Sequence, residues 1–241
     1  MIANIQSDRQ RQNGLMKLET RAVTWLCRRM PRRVTSNQLT AFGLCGAGVV
    51  FLALLMGKHN RWWLLSGIIG LAMHWFGDSL DGRLAYYRRQ PRKWYGFTLD
   101  IMADWVSLCM MSAGFAFYFG RYKFVPIVFM AAYGAGMLIA ATRYKITGHY
   151  RIDSGKFGPT EMRLIIAAIL LMEIAWPPSM LLCSSLATLC MLISDLIEFR
   201  QLLHAADMRD RNERNAKPQK ASVEFYPDDL AAARLPAPLA L

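Results

Sequence analysis

The chain has 241 residues, 54% of them hydrophobic and only 19% charged, with 29 Lys and Arg against 17 Asp and Glu for a net charge of +12. The charges are gathered into short blocks separated by apolar runs of about 17–25 residues, the length of a bilayer span, which excludes an ordinary soluble domain. The positive surplus follows the connections between those runs, so it marks membrane orientation and gives no reason to invoke nucleic acid.

In chain order, residues 1–15 form a polar N-terminal segment, and MIANIQSDRQRQ lacks the apolar core of a signal peptide. From Met16 to Met30, Leu18, Ala22, Trp25, Leu26 and Met30 share one helical face while Lys17, Arg21 and Arg28 lie on others, the pattern of an interfacial amphipathic helix. Pro31 ends it. Thr35 or Ser36 is placed to cap a first span at 38–57, where Gly43, Gly46 and Gly48 allow close packing against a neighbour. Further spans are predicted at 62–85, 95–120, 124–143, 160–176 and 178–199, and Trp62, Trp63, Trp94 and Trp176 sit at span ends as interface anchors do. The expected fold class is an all-α integral membrane protein, with six transmembrane helices and the N-terminal interfacial helix forming one membrane domain over 16–200. Residues 201–241 make a loosely structured tail, of which 201–215 can continue as a polar helix.

Lys and Arg test the orientation. Connections on one side, with both termini, hold 24 of them and the opposite connections hold 4, with Arg163 inside a span completing the count. Both termini and the loop after the second span are therefore expected in the cytoplasm. The five cysteines, Cys27, Cys45, Cys109, Cys183 and Cys190, form no C-x-x-C pair and suit apolar packing in a reducing compartment.

Four aspartates lie within this apolar sequence, in GDSLDGRLAYYRRQPRKWYGFTLDIMAD from Gly77 to Asp104. A carboxylate at membrane depth costs at least about 2.5–3.5 kcal/mol on insertion scales. Asp78 and Asp81 are three apart and Asp100 and Asp104 four apart, so on helices each pair projects from one face. Two such helices facing each other gather four like charges, which a hard cation neutralises; oxygen ligands select Mg²⁺, Mn²⁺ or Ca²⁺. Gly82 and Gly96 cost helix propensity, and close approach of a ligand to the backbone accounts for both. Ala85, one turn after Asp81, keeps that wall small. A diphosphate held by metal fits such a wall.

These residues resemble the signature of the CDP-alcohol phosphotransferase family: Asp, two residues, Asp-Gly, two residues, Ala-Arg, eight residues, Gly, three residues, Asp, three residues, Asp. Asp78, Asp81, Gly82, Ala85, Gly96, Asp100 and Asp104 fill seven of its eight named positions. Tyr86 stands where the signature has Arg, and the gap to Gly96 is one residue longer. The resemblance implies transfer of a phosphatidyl group from CDP-diacylglycerol to a small polar alcohol, with release of CMP, in phospholipid biosynthesis at the inner membrane of a bacterium. It implies a two-metal site of Mg²⁺ or Mn²⁺ held by Asp78, Asp81, Asp100 and Asp104, with Asp104 also the general base. Gly82, Ala85, Gly96 and an arginine would contact the CDP-lipid donor; Arg83, Arg88 and Arg89 are the candidates for the missing Arg, and Arg88 is favoured. Membrane lipids are expected partners, nucleic acid is not, and a homodimer is admitted.

A second polar cluster, Lys156–Arg163, has Pro159 and Glu161 in a first helical turn and Arg163 about a turn inside the membrane face, where it needs an anionic partner. Similarity to relatives that use inositol phosphate implies that Glu161 and Arg163 bind the acceptor; with Lys156 beside them, this cluster is expected to line the far side of the groove from the diphosphate. His74, one turn before Asp78, is the only histidine near the aspartates and is read as a buried or cavity-facing hydrogen-bonded residue. Two other functions are carried: transfer of a phospho-headgroup from a soluble CDP-alcohol to a lipid hydroxyl, and metal-ion transport. The second is disfavoured because all four aspartates map to one end of the spans.

Overall fold

The computed structural model describes residues 14–147 and 159–216, and among them every regular element is helical. Helix α1 (Gly14–Arg29) stops just short of Pro31. Helix α2 (Ser36–Gly57) starts in a capping box: Thr35 Oγ1 accepts from the Gln38 amide at 3.3 Å, and Gln38 Oε1 accepts from the Thr35 amide at 2.9 Å. A 3₁₀ turn at Arg61–Trp63 leads into α3 (Leu64–Tyr87), followed by α4 (Lys93–Phe119), α5 (Phe124–Thr147), α6 (Pro159–Ala175) and α7 (Ser179–Ala216). Between α4 and α5 the chain turns at Gly120, whose φ of +54° suits glycine.

Helices α2 to α7 fall on the six predicted spans. Four are long and apolar enough to cross a membrane: α2, α4 with its continuation to Tyr122, α5, and α7 to Asn215. Helix α3 falls short because His74, Asp78, Asp81 and Arg83 crowd its second half, and α6 has only 17 residues. Helix α7 continues well past its apolar stretch, so the polar segment 201–215 is helical.

The tightest packing is between α2 and α3. A Cβ on Gly46 would lie 2.5 Å from the His74 amide nitrogen and 2.6 Å from the Gly70 carbonyl, and one on Gly77 would lie 2.5 Å from the Gly43 nitrogen. The two backbones therefore touch where Gly43 and Gly46 meet Gly70 and Gly77, the close approach that small residues permit between membrane helices. Gly48, predicted for the same role, faces instead the flexible end of Met110 on α4 at 3.4 Å. Leu54, Leu64, Leu170 and Met180 are fully buried in the core between α2, α3, α6 and α7.

At the end of the bundle away from the aspartates, the buried carboxylate of Glu173 accepts hydrogen bonds from the Met180 amide at 2.7 Å, Ser179 Oγ at 3.3 Å and Tyr118 Oη at 3.0 Å. It satisfies the start of α7 across the Trp176–Pro178 turn and ties it to α4, which makes a buried acid tolerable. Helices α5 and α7 are joined at the other end by the Arg143–Glu198 ion pair at 3.3 Å and by Arg209, which donates to the carbonyls of Lys145 and Ile146 at 2.9 and 2.6 Å.

Helix α1 packs on the bundle through one edge of its predicted apolar face. Val23 and Cys27 are buried against Leu39, Leu80 and Leu84, with Leu26 and Met30 beside them, whereas Ala22 is exposed and Trp25 is 52% exposed. Both Val23 and Cys27 stand between the apolar and basic stripes that the periodicity marks, so one side of the stripe meets protein and the other stays open. Burial pushes the Cys27 thiol up, against the opposing pull of Arg83 and Arg88. Cys27 is free, as are Cys45, Cys109, Cys183 and Cys190; of the five Cys27 is buried, while Cys45 and Cys190 are exposed.

Candidate active site

Helices α3 and α4 bring Asp78, Asp100 and Asp104 together: one ligand oxygen of each lies within 4.8 Å of the others. The i, i+4 spacing puts Asp100 and Asp104 on one face of α4, and the glycine contact with α2 fixes the depth of Asp78 on α3. Three carboxylates at this separation fit a hard divalent cation by the chemistry of their donor set. Asp81, the fourth predicted ligand, lines the same cleft but stands outside the tight trio. Its Oδ2 accepts a 2.6 Å hydrogen bond from Thr40 Oγ1 on α2.

Thr40 is a site residue that the sequence analysis passed over. It lies three before Gly43 and six before Gly46, on the face that packs against α3. A hydroxyl on a tightly packed face needs a partner, and that signal was available in the spacing.

Arg163, on the second turn of α6, reaches the aspartates. Its Nη2 lies 2.6 Å from Asp78 Oδ2, and its Nε donates to His74 Nδ1 at 3.0 Å. The pair is largely sheltered, with 13% of the Arg163 side chain and 23% of Asp78 exposed. The anionic partner expected for Arg163 is therefore Asp78, and the cation stands beside the carboxylates, not across the groove from them. His74 is buried and hydrogen-bonded, as expected. Glu161 lies in the first turn of α6. Lys156 lies outside the described residues. Thr160, next to Glu161, donates to Glu19 of α1 at 3.1 Å, and the other oxygen of Glu19 lies 3.5 Å from Arg83 Nη2. Helix α1 is thereby tied to both α3 and α6 at the mouth of the cleft.

Of the residues expected to meet the donor, Gly82 and Gly96 face open space: a Cβ on either would have no neighbour within 4 Å. Ala85 is half-buried and Tyr86 is 47% exposed. Arg88 is committed elsewhere. Its guanidinium donates to the Val34 carbonyl and, at 2.7 Å, to the Pro31 carbonyl, clamping the link between α1 and α2. Arg83 differs, because its Nη1 is buried with no hydrogen-bond partner among the described residues. Arg92 donates to Asn37 Oδ1 at 2.6 Å and lies over the Tyr95 ring, closing the α3–α4 connection onto the start of α2.

A larger cavity, of about 520 Å³, opens at the far end of the bundle, lined by Gly57, Lys58, His59, Asn60, Arg61 and Tyr118. It has no carboxylate in its lining, so the acid chemistry belongs to the narrower cleft at the aspartates.

Comparison with known proteins gives one match. The family model described as CDP-alcohol phosphatidyltransferase matches residues 33–197, which takes in α2 to α6, most of the apolar part of α7 and all four aspartates. No curated protein and no solved structure matches the chain.

Proposed function

Because the chain belongs to the CDP-alcohol phosphatidyltransferase family, we propose that it moves the phosphatidyl group of CDP-diacylglycerol to a small polar alcohol and releases CMP. The family fixes the coarser statement, phosphatidyl transfer from a CDP-alcohol in a generally metal-dependent reaction. The observation that supports the rest is the trio Asp78, Asp100 and Asp104, gathered on two facing helices at one end of an apolar bundle. With α3 and α6 packed among the four long apolar helices, six helices cross the membrane. The aspartate end and both termini face the cytoplasm, and α1 lies along the interface.

Asp78, Asp81, Asp100 and Asp104 would hold Mg²⁺ or Mn²⁺, which when bound neutralises the diphosphate as its bond breaks. The chain's own groups do the positioning. Gly82, Ala85 and Gly96 leave room for the donor beside the carboxylates. Thr40 holds Asp81 in one rotamer. Asp104, one turn deeper than Asp100, takes the proton of the acceptor hydroxyl as its oxygen attacks the β-phosphorus. The bond from that phosphorus to the bridging oxygen breaks, and CMP leaves with the electron pair. Arg163, with Glu161 and Lys156 on the same segment, binds the acceptor through charge-assisted hydrogen bonds.

The reading is tested by incubating purified protein with CDP-diacylglycerol and a panel of polar alcohols, with CMP release as the readout. Release is expected to need an alcohol, to cease in excess chelator, and to return with Mg²⁺ or Mn²⁺. Release from a soluble CDP-alcohol only, with diacylglycerol as acceptor, would invert donor and acceptor; full turnover in chelator would remove the metal from the mechanism.

The partnerless Nη1 of Arg83, and the engagement of Arg88 with Val34 and Pro31, support Arg83 as the arginine that meets the donor's diphosphate. Arg83→Ala is expected to raise the KM for CDP-lipid by about 10-fold or more, the scale of a hydrogen bond to a charged group. Arg88→Ala should instead lower the melting temperature and expose the 30–35 link to protease, with the donor KM little changed. The opposite pattern would return the donor contact to Arg88.

A further inference from the structure

His74 and Arg163 are 89 residues apart in sequence, yet the imidazole is buried directly against the guanidinium. Arg163 is thus held at two points, Nε by His74 Nδ1 at 3.0 Å and Nη2 by Asp78 Oδ2 at 2.6 Å. Two points fix the plane of a guanidinium, whereas the ion pair alone leaves it free to swing about one contact. To accept from Nε, Nδ1 must carry a lone pair, so the imidazole is neutral with its proton on Nε2. The backbone of this segment cannot drift either, because the His74 amide is pressed onto Gly46 of α2.

We infer that His74 is a positioning residue: it sets the plane of Arg163, and through it the Asp78 oxygen that the arginine covers and the orientation in which the guanidinium meets substrate. This rests on the reading of the cleft as the transfer site, but not on which substrate Arg163 meets. His74 touches no reacting atom in this scheme. Its whole effect passes through Arg163.

The test is a set of substitutions at 74 combined with Arg163→Ala, in full-length protein in nanodiscs, reading the KM of donor and acceptor separately and Mn²⁺ affinity by electron paramagnetic resonance. His74→Asn places an amide oxygen where Nδ1 stands and should keep kinetic constants within about 3-fold of the parent. His74→Gln, whose polar end lies near the Nε2 position, and His74→Leu should each change one substrate's KM by roughly 10-fold, the scale of one hydrogen bond to a charged group. That substrate should be the one whose KM changes in Arg163→Ala, and His74→Leu should add little on the Arg163→Ala background.

Asn and Gln behaving alike would overturn the inference, as would effects of His74→Leu and Arg163→Ala that multiply. Loss of Mn²⁺ binding in the Leu variant with both KM values unchanged would make His74 a support of the carboxylates alone. If Arg163→Ala raises the donor KM in place of the acceptor KM, the acceptor assignment fails while the role of His74 stands. A melting curve for each variant separates these results from misfolding, and the Asn variant supplies the answer should the Leu variant not fold.

Discussion

Asp104→Asn is expected to reduce CMP release by about 10²–10⁴-fold, the contribution of a general base, and added metal should not restore it. The side chain keeps its size and one carbonyl oxygen, so the cleft keeps its shape while losing the group that accepts the hydroxyl proton. The same change at Asp78, Asp81 or Asp100 removes charge from the cation site without removing the base. Those three variants should recover in part as Mg²⁺ or Mn²⁺ is raised. Asp81→Asn should be the mildest of them, because that carboxylate stands outside the tight trio and is already engaged by Thr40. A titration of activity against metal for all four variants gives the ranking. Equal recovery of Asp104→Asn with the others would remove its separate role.

The largest structural effect is expected far from any charge. In Gly46→Leu, even the Cβ would stand 2.5 Å from the His74 nitrogen and 2.6 Å from the Gly70 carbonyl, both backbone atoms that cannot rotate away. Overpacking of this kind commonly costs about 1–3 kcal/mol, and more where the neighbour cannot yield. Helix α3 must then move off α2, taking Asp78 and Asp81 away from Asp100 and Asp104. The variant should lose tens of per cent or more of its folded yield in detergent, and the folded remainder should release little CMP although every aspartate is present. Gly48→Ala is the control, since among the described residues its only close neighbour is the terminal methyl of Met110. Comparable melting temperature and activity in the two variants would show that α3 does not depend on this contact.

Helix positions and the aspartate pairs were legible in the sequence because each rests on a short-range period. Apolar length marks a span, and i, i+3 or i, i+4 spacing puts two carboxylates on one face. The capping box at Thr35 and Gln38 is local in the same sense. What joins distant segments was not legible. Nothing near Arg163 in the chain says that its anion is Asp78, and nothing near Arg88 says that it clamps Pro31 and Val34. Only half of the α2–α3 contact could be anticipated: Gly43 and Gly46 were singled out, but Gly70 and Gly77 gain meaning only from the register of the opposing helix. Which edge of the α1 apolar face packs on the bundle was not legible for a related reason. Hydrophobic periodicity finds the apolar side of a helix and cannot divide it between protein and lipid, two neighbours that are equally apolar.

Helix α7 has 38 residues, which at 1.5 Å per residue makes a rod about 57 Å long. The hydrocarbon of a bilayer is about 30 Å thick, so close to half of that rod stands clear of it. Its first turn is moored beside Tyr118 at the far end of the bundle, so the free half rises from the same end as the aspartates. Arg209 braces it against the last carbonyls of α5 before it stands alone. Ala216 thus stands at the tip of a mast, well clear of the hydrocarbon on the aspartate side.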